Sequence, residues 1–371
     1  MSDGTGIEWT DATWNVVIGC DKVSDGCTNC YAIRTAHRMQ GNPNPKVREP
    51  YAGTESGGEW TGRVNLVEDR LTLPLRWKRP RRIFVNAQSD LFHDSVPDEF
   101  IAQVWGVMAW APWHTFQILT KRHARMRSLI SSREFLSMVD DAWYAAGKRY
   151  ELDKRWWQSP GHPYDRWPLP NVWLGVSTEN QMWADIRIPA LLGTPAAVRF
   201  ISAEPLLGPI DLAPWLSKNG AQRAYRHHHT TCGAGQGGCY HPPCRCDCHR
   251  LGDNLLRWVI TGGESGHNAR PAHLDWFRSI RDQCRSAEVA YLHKQHGEWV
   301  PESMLLHGAN APAAFLSTRG QVRPLFDGKP AAPPMARGDD MTIRRVGKHL
   351  AGRHLDGRTW DGYPEAVVAH A

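Results

Sequence analysis

Short, almost continuously apolar runs recur along this chain, and most are followed by a stretch with helical spacing. The runs are Trp14–Ile18, Arg82–Asn86, Thr115–Leu119, Val172–Val176, Val198–Ser202, Arg257–Thr261 and Val289–His293. Runs this short without polar alternation predict strands buried on both faces, as in parallel sheets. Between them, Pro97–Trp110 opens with proline beside Asp98 and Glu99, a helix start. Leu274–Ala287 sets Trp276, Phe277, Ile280 and Cys284 on one helical face. Strand then helix, repeated, predicts an α/β fold. We expect a partial (β/α) barrel of about six to seven parallel strands; an open doubly wound sheet is the other arrangement of these elements.

Two segments break the rhythm. Residues 131–170 are rich in tryptophan (Trp143, Trp156, Trp157, Trp167) and are expected to add helix and loop over the barrel. Residues 217–253 are polar and hold five cysteines. After Trp299 the chain becomes rich in Pro, Ala and Gly. The expected organisation is therefore a barrel over residues 1–300, interrupted by the excursion at 131–170 and the insertion at 217–253, then an extension over 301–371.

Polar and charged groups follow each apolar run. They include Asp90 with His93, Lys121, Ser177 with Glu179, Glu204, the group Gly262-Gly263-Glu264, and Lys294-Gln295. Polar loops follow strands in any fold, but a barrel brings the carboxyl ends of its strands to one mouth. On that geometry Asp90, His93, Lys121, Lys294 and Gln295 are candidates for catalysis or substrate binding.

The chemistry that most changes this picture lies just past the first run. Cys20, Cys27 and Cys30 have C-x6-C-x2-C spacing. Thiolates suit zinc and iron–sulfur centres. A [4Fe–4S] cluster on three cysteines leaves one iron open for a small molecule, whereas structural zinc needs a fourth ligand, for which His37 is nearest in sequence. The second cluster comprises Cys232, Cys239, Cys244, Cys246 and Cys248, with His241 and His249 beside it. A polar insertion without its own core can be folded by a metal. Structural zinc is the first reading, an auxiliary iron–sulfur cluster the second and a metal-free loop the third. Gly233–Gly238 fits G-x-G-x-x-G but lacks the flanking strand and helix that a dinucleotide loop needs.

The chain has 371 residues and nine cysteines, with no apolar run near the roughly 18 residues of a membrane span and no signal-peptide layout at its start. Clustered, odd-numbered cysteines then predict metal binding in a reducing cytoplasm, with no membrane contact. A net charge of +6 permits a polyanionic partner. Most of the 18 tryptophans stand in apolar contexts and are expected in the core.

Several strings together resemble one family. They are Ile7–Asn15, Gly19-Cys20, Gly26–Ala32, Phe84–Asn86, Ser89–His93, Leu119–Arg122 and Trp173–Ser177. Others are Glu204–Gly208, Gly262–Gly266, Lys294-Gln295, Gly297–Trp299 and Leu355–Trp360. The chain resembles the phage-type three-Cys-motif family, which is similar to radical S-adenosylmethionine proteins. That resemblance implies a partial (β/α) barrel and a [4Fe–4S] cluster on Cys20, Cys27 and Cys30. It also implies S-adenosylmethionine as cofactor and an electron donor as partner. The cofactor carries an ammonium, a sulfonium and hydroxyls, for which Ser177, Glu179, Glu204, Gly262, Gly263 and Glu264 are the expected contacts. The common radical-enzyme spacing is C-x3-C-x2-C, from which this chain departs. The function expected is a radical S-adenosylmethionine-like enzyme acting on a nucleobase, nucleotide or nucleic acid, or else on a peptide; the basic charge and the tryptophans tilt the reading to the nucleic-acid side. The rival is a non-enzymatic zinc protein that binds nucleic acid and uses both cysteine clusters structurally.

Overall fold

The computed structural model describes residues 5–152, 161–216, 255–305, 312–325 and 338–364. Its centre is a seven-stranded sheet in chain order: β1 (Ala12–Trp14), β2 (Arg82–Val85), β3 (Thr115–Thr120), β4 (Val172–Ser177), β5 (Val198–Ala203), β6 (Trp258–Gly262) and β7 (Ala290–Gln295). Every neighbouring pair is parallel. Helices surround this half-barrel: α1 (Tyr31–Gln40), α2 (Asp98–Trp110), α3 (His123–Ile130), α4 (Arg133–Arg149), α5 (Gln181–Leu192) and α6 (Leu274–Ser286).

Side chains alternate across the sheet, as the pleat requires. Ile83, Val85, Phe116, Ile118, Leu174, Val176, Ile201 and Val259 pack with the helices. Phe84, Trp173, Phe200, Trp258, Ile260 and Leu292 face the other way and gather around Trp9. That inner face is layered by register. Phe84, Gln117, Trp173 and Val198 form one layer. Leu119, Gly175, Phe200 and Trp258 form the next. Above them lies the layer of Ser177, Ser202, Ile260 and Leu292. The interior is thus aromatic at its base and turns polar at the carboxyl ends of the strands.

Strands β1 and β7 do not pair with each other, which leaves a seam. The C-terminal segment covers the β7 side. His293 N donates to Trp360 O at 3.0 Å and Gly362 N donates to Tyr291 O at 2.9 Å. The Trp258 indole donates to Gly362 O at 2.8 Å, and Tyr363 Oη donates to Glu8 O at 3.3 Å. Asp356 anchors the segment through Arg278 and Arg281, whose hydrogen bonds hold its carboxyl down at about 2. Part of the extension past residue 300 also joins a separate antiparallel sheet. It comprises β8 (Trp299–Pro301), β9 (Ala313–Ser317), β10 (Val322–Leu325) and β11 (Asp340–Arg345).

The first apolar run departs from expectation: it splits. Only Ala12–Trp14 joins the main sheet, while Val17 and Ile18 pair with Leu66 and Asn65. The Asn86 side chain takes the Val16 and Val17 amides and so ends the ladder. The Trp-rich excursion supplies α4, which lies on α2 in the outer helical layer. Trp143 stacks on Trp110 with centroids 4.8 Å apart, and the Trp110 indole donates to Trp143 O. Cys284 is buried in the main core. The insertion at 217–253 lies outside the described residues. Among the described residues, no helix is long and apolar enough to cross a membrane.

Trp258 joins the inner aromatic cluster to the C-terminal strap. Trp258→Ala is expected to cost roughly 3–5 kcal/mol, the range for removing a buried aromatic ring. Urea unfolding measures this, and a loss below about 1 kcal/mol would show that the strap and inner cluster do not depend on it.

Candidate functional site

The cysteine loop is placed by the exit of β2. Asn86, with φ 61°, adopts a left-handed conformation that Asn tolerates better than most residues. Its Oδ1 accepts from Val16 N at 3.0 Å and Val17 N at 3.2 Å, and its own N–H donates to Trp14 O. One step further on, Gly19 N donates to Gln88 O at 3.3 Å and Ser89 Oγ donates to Val17 O at 2.8 Å. Cys20 therefore leaves the chain at the mouth. Arg122 donates to its Sγ at 3.6 Å, pairs with Asp90 at 3.3 Å and holds Asp21. Asp90 also accepts from Thr120 Oγ1 at 2.7 Å and Lys121 N at 3.0 Å.

Around Cys27 the anchor is Glu179, which has no exposure to solvent. It accepts from Ser24 Oγ at 2.6 Å and pairs with Lys121 at 3.0 Å and Arg187 at 2.7 Å. Burial alone would raise its pKa, but Lys121 and Arg187 outweigh that and hold the carboxyl below its ordinary range. Gly26 lies against the same carboxylate: a Cβ there would come within 2.3 Å of Oε1. The third anchor is Glu264, beside Cys30. Asn29 Nδ2 donates to its Oε2 at 2.9 Å, and Arg270 donates to both oxygens and to Asp25 O. Burial again works against the charge, and the bonds from Arg270 and Asn29 prevail. Three barrel loops thus grip the cysteine loop next to each of its thiols.

These elements enclose a cavity of about 240 Å³ bordered by Cys20, Cys27 and Cys30. Asp90, Lys121, Ser177, Glu204, Gly263, Glu264, Lys294 and Gln295 also border it. Glu179, Gly262 and His93 stand behind the lining. Gly262 makes room for the Glu204 carboxylate, which a Cβ would approach to 2.4 Å, and Gly263 makes room for the His296 carbonyl. His93 faces Asp21 at 3.5 Å, and burial together with Arg122 lowers its pKa. His37 is not beside the thiols: it pairs with Glu55 at 3.0 Å. Cys232, Cys239, His241, Cys244, Cys246, Cys248 and His249 lie outside the described residues. Ser24, Asn29, Arg187 and Arg270 hold the loop yet carry no motif of their own; Ser24 and Asn29 were visible only as polar residues between the cysteines.

Every carboxylate on the cavity wall has a cation partner. Asp21 and Asp90 have Arg122, Glu204 has Lys294 at 3.3 Å, and Glu264 has Arg270. Of the thiols only Cys20 meets a cation, Arg122, which it shares with Asp21 and Asp90. Burial pushes Cys20 up to about 12, with Asp90 adding to the rise and Arg122 opposing it. Burial also raises Cys30, against the pull of the Ala32 and Ile33 amides in the first turn of α1. Among the described residues, no three His, Cys, Asp or Glu side chains converge on one point that could hold a single ion.

Fold and site together define a (β/α) half-barrel with a three-thiol loop clamped across its mouth. The chain belongs to the family described as protein of unknown function DUF5131, which matches residues 4–364. No curated protein and no solved structure matches it.

The Glu179 clamp has a measurable cost. Glu179→Gln leaves Lys121 and Arg187 without their buried carboxylate and is expected to lower stability by about 3 kcal/mol. It should also speed alkylation of Cys27 by iodoacetamide relative to wild type. Unchanged stability with an unchanged alkylation rate would show that Glu179 does not hold the loop.

Proposed function

We propose that this protein is a radical S-adenosylmethionine-like enzyme, with a [4Fe–4S] cluster on Cys20, Cys27 and Cys30 and a nucleobase in a nucleotide or nucleic acid as substrate. One observation carries the reading: three thiols border one cavity whose carboxylates are each paired with a cation, and of the thiols only Cys20 meets a cation, which it shares with two carboxylates. The donor set fits the group. Thiolates are the ligands of iron–sulfur clusters, and each binds a separate iron, so they need to share a cavity and not a point. Buried thiols with raised pKa values ionise only against a strong cation, which a metal centre provides.

When bound, such a cluster supplies an electron to the sulfonium of S-adenosylmethionine and so opens radical chemistry. The chain's residues do the rest. Glu204, bonded to Ser202 Oγ at 3.0 Å and paired with Lys294, offers a carboxylate to an ammonium group. Ser177 and Gln295 offer hydroxyl and amide groups on the same wall. Glu264 and Glu179 are spent on the loop and hold the cysteines in place. Trp9, Phe84 and Leu119 close the apolar side and exclude water from the cavity floor.

The test is metal content. Cys20→Ala, Cys27→Ala and Cys30→Ala, each purified without oxygen, are expected to lose most iron and sulfide and the associated visible absorbance. Cys284→Ala removes a core thiol and should retain them. Near-normal iron in all three loop variants would overturn the cluster.

A further inference from the structure

The loop after β6 does more than carry Glu264. Its Gly266 has φ +112°, a conformation that side chains rarely adopt. A Cβ there would also meet the Arg34 guanidinium at 2.5 Å. Gly266 O accepts from Arg345 Nη2 at 3.0 Å. Two guanidiniums from distant parts of the chain, one on α1 and one on β11, therefore meet at a single glycine. Its neighbour Ser265 borders the thiol cavity. Among the described residues, neither arginine forms an ion pair. Glu298 accepts from Gly266 N at 2.9 Å but pairs with neither, and the nearby Arg270 is committed to Glu264.

Glu298 holds the glycine amide and not the guanidiniums, so the two cations repel each other, and an anion between them relieves that cost. Planar guanidinium forks match phosphate oxygens in pairs. Arg34 is exposed, and so is Tyr31, one turn earlier on α1 and on the cavity wall with 45% of its surface accessible. Trp60 borders the cavity as well. Phosphate-binding groups on the rim of an aromatic-lined cavity fit one kind of ligand, a nucleotide unit whose base enters while its phosphate stays outside.

We infer that Arg34 and Arg345, set around Gly266, form a phosphate site that docks a single-stranded nucleic-acid backbone at the barrel mouth. This deepens the proposed function, since it rests on the substrate class given there. It assigns the phosphate contact to residues outside the cavity and apart from the thiols. The polymer is favoured over a free nucleotide because Arg34 is exposed, Arg345 is half-buried and neither lines the cavity, so a phosphate held by them stays outside it, where a chain can continue.

The probe is a fluorescein-labelled single-stranded oligonucleotide of about twelve residues, within the span that such surfaces cover. Its affinity is measured by anisotropy across a salt series. Arg34→Gln with Arg345→Gln is expected to weaken binding about tenfold and to reduce the slope of log affinity against log salt by about one. Arg79→Gln with Arg133→Gln removes the same charge elsewhere and should change affinity by less than about twofold. Gly266→Ala keeps both charges but displaces Arg34, and should weaken binding in the same direction. Equal losses in both double variants would reduce the effect to net charge and overturn the site, as would no loss in the first. Displacement by thymidine monophosphate at matched phosphate concentration would overturn the polymer assignment in favour of a free nucleotide. Iron is assayed on the same samples. Binding that persists without iron leaves this site standing and removes the cluster; full iron with no binding does the reverse.

Discussion

The buried carboxylate of Glu179 is the interaction on which the mouth of this barrel depends. It sits just past the end of β4, closed off from solvent, and engages Lys121, Arg187 and Ser24 together. Lys121 follows β3 and Arg187 lies on α5, so the group ties two strand exits and a helix to the cysteine loop. A buried ion network of this kind is a poor source of net stability, because desolvation offsets most of its attraction. What it supplies is position. Movement of the loop would take the Ser24 hydroxyl from a buried carboxylate, and that penalty keeps Gly26 against the carboxylate and Cys27 beside Ser24.

The same logic runs around the rim. Arg122 fixes the Cys20 end through Asp21 and Asp90, and Glu264 fixes the Cys30 end through Asn29 and Arg270. Each carboxylate of the rim has a cation, and of the thiols only Cys20 shares one. Below them the layered inner face changes from aromatic to hydroxyl-bearing within a few residues along β4 and β5. That gives the cavity an apolar floor and a polar lip. That arrangement is the basis of the function proposed.

Much of this was legible in the sequence, for physical reasons. Strands buried on both faces show as unbroken apolar runs, so six of the seven main-sheet strands fall close to where the pattern puts them. Their carboxyl ends carry the charged residues because a barrel concentrates its loops there. The first run was misread as one strand, since its break is caused by the side chain of Asn86, which is 70 residues from Val16. The site shows the same limit. Glu179 was visible as a carboxylate after a strand, but its engagement with Ser24 joins residues 155 apart, and local pattern says nothing about such pairs. Pattern also could not separate carboxylates that face the cavity, such as Glu204, from those spent on holding the loop. Burial and partner counts decide that, and both come from tertiary packing.

The function proposed requires that the clamped thiols hold a cluster with one open coordination position. Electron paramagnetic resonance of the full chain, purified and reduced without oxygen, tests it most directly when recorded with and without S-adenosylmethionine. A cluster on these thiols is expected to give a reduced iron–sulfur signal whose g-values shift when S-adenosylmethionine is added, because the added molecule reaches an iron with no cysteine of its own. A colourless protein carrying zinc on these thiols, or an iron–sulfur signal indifferent to S-adenosylmethionine, would contradict it.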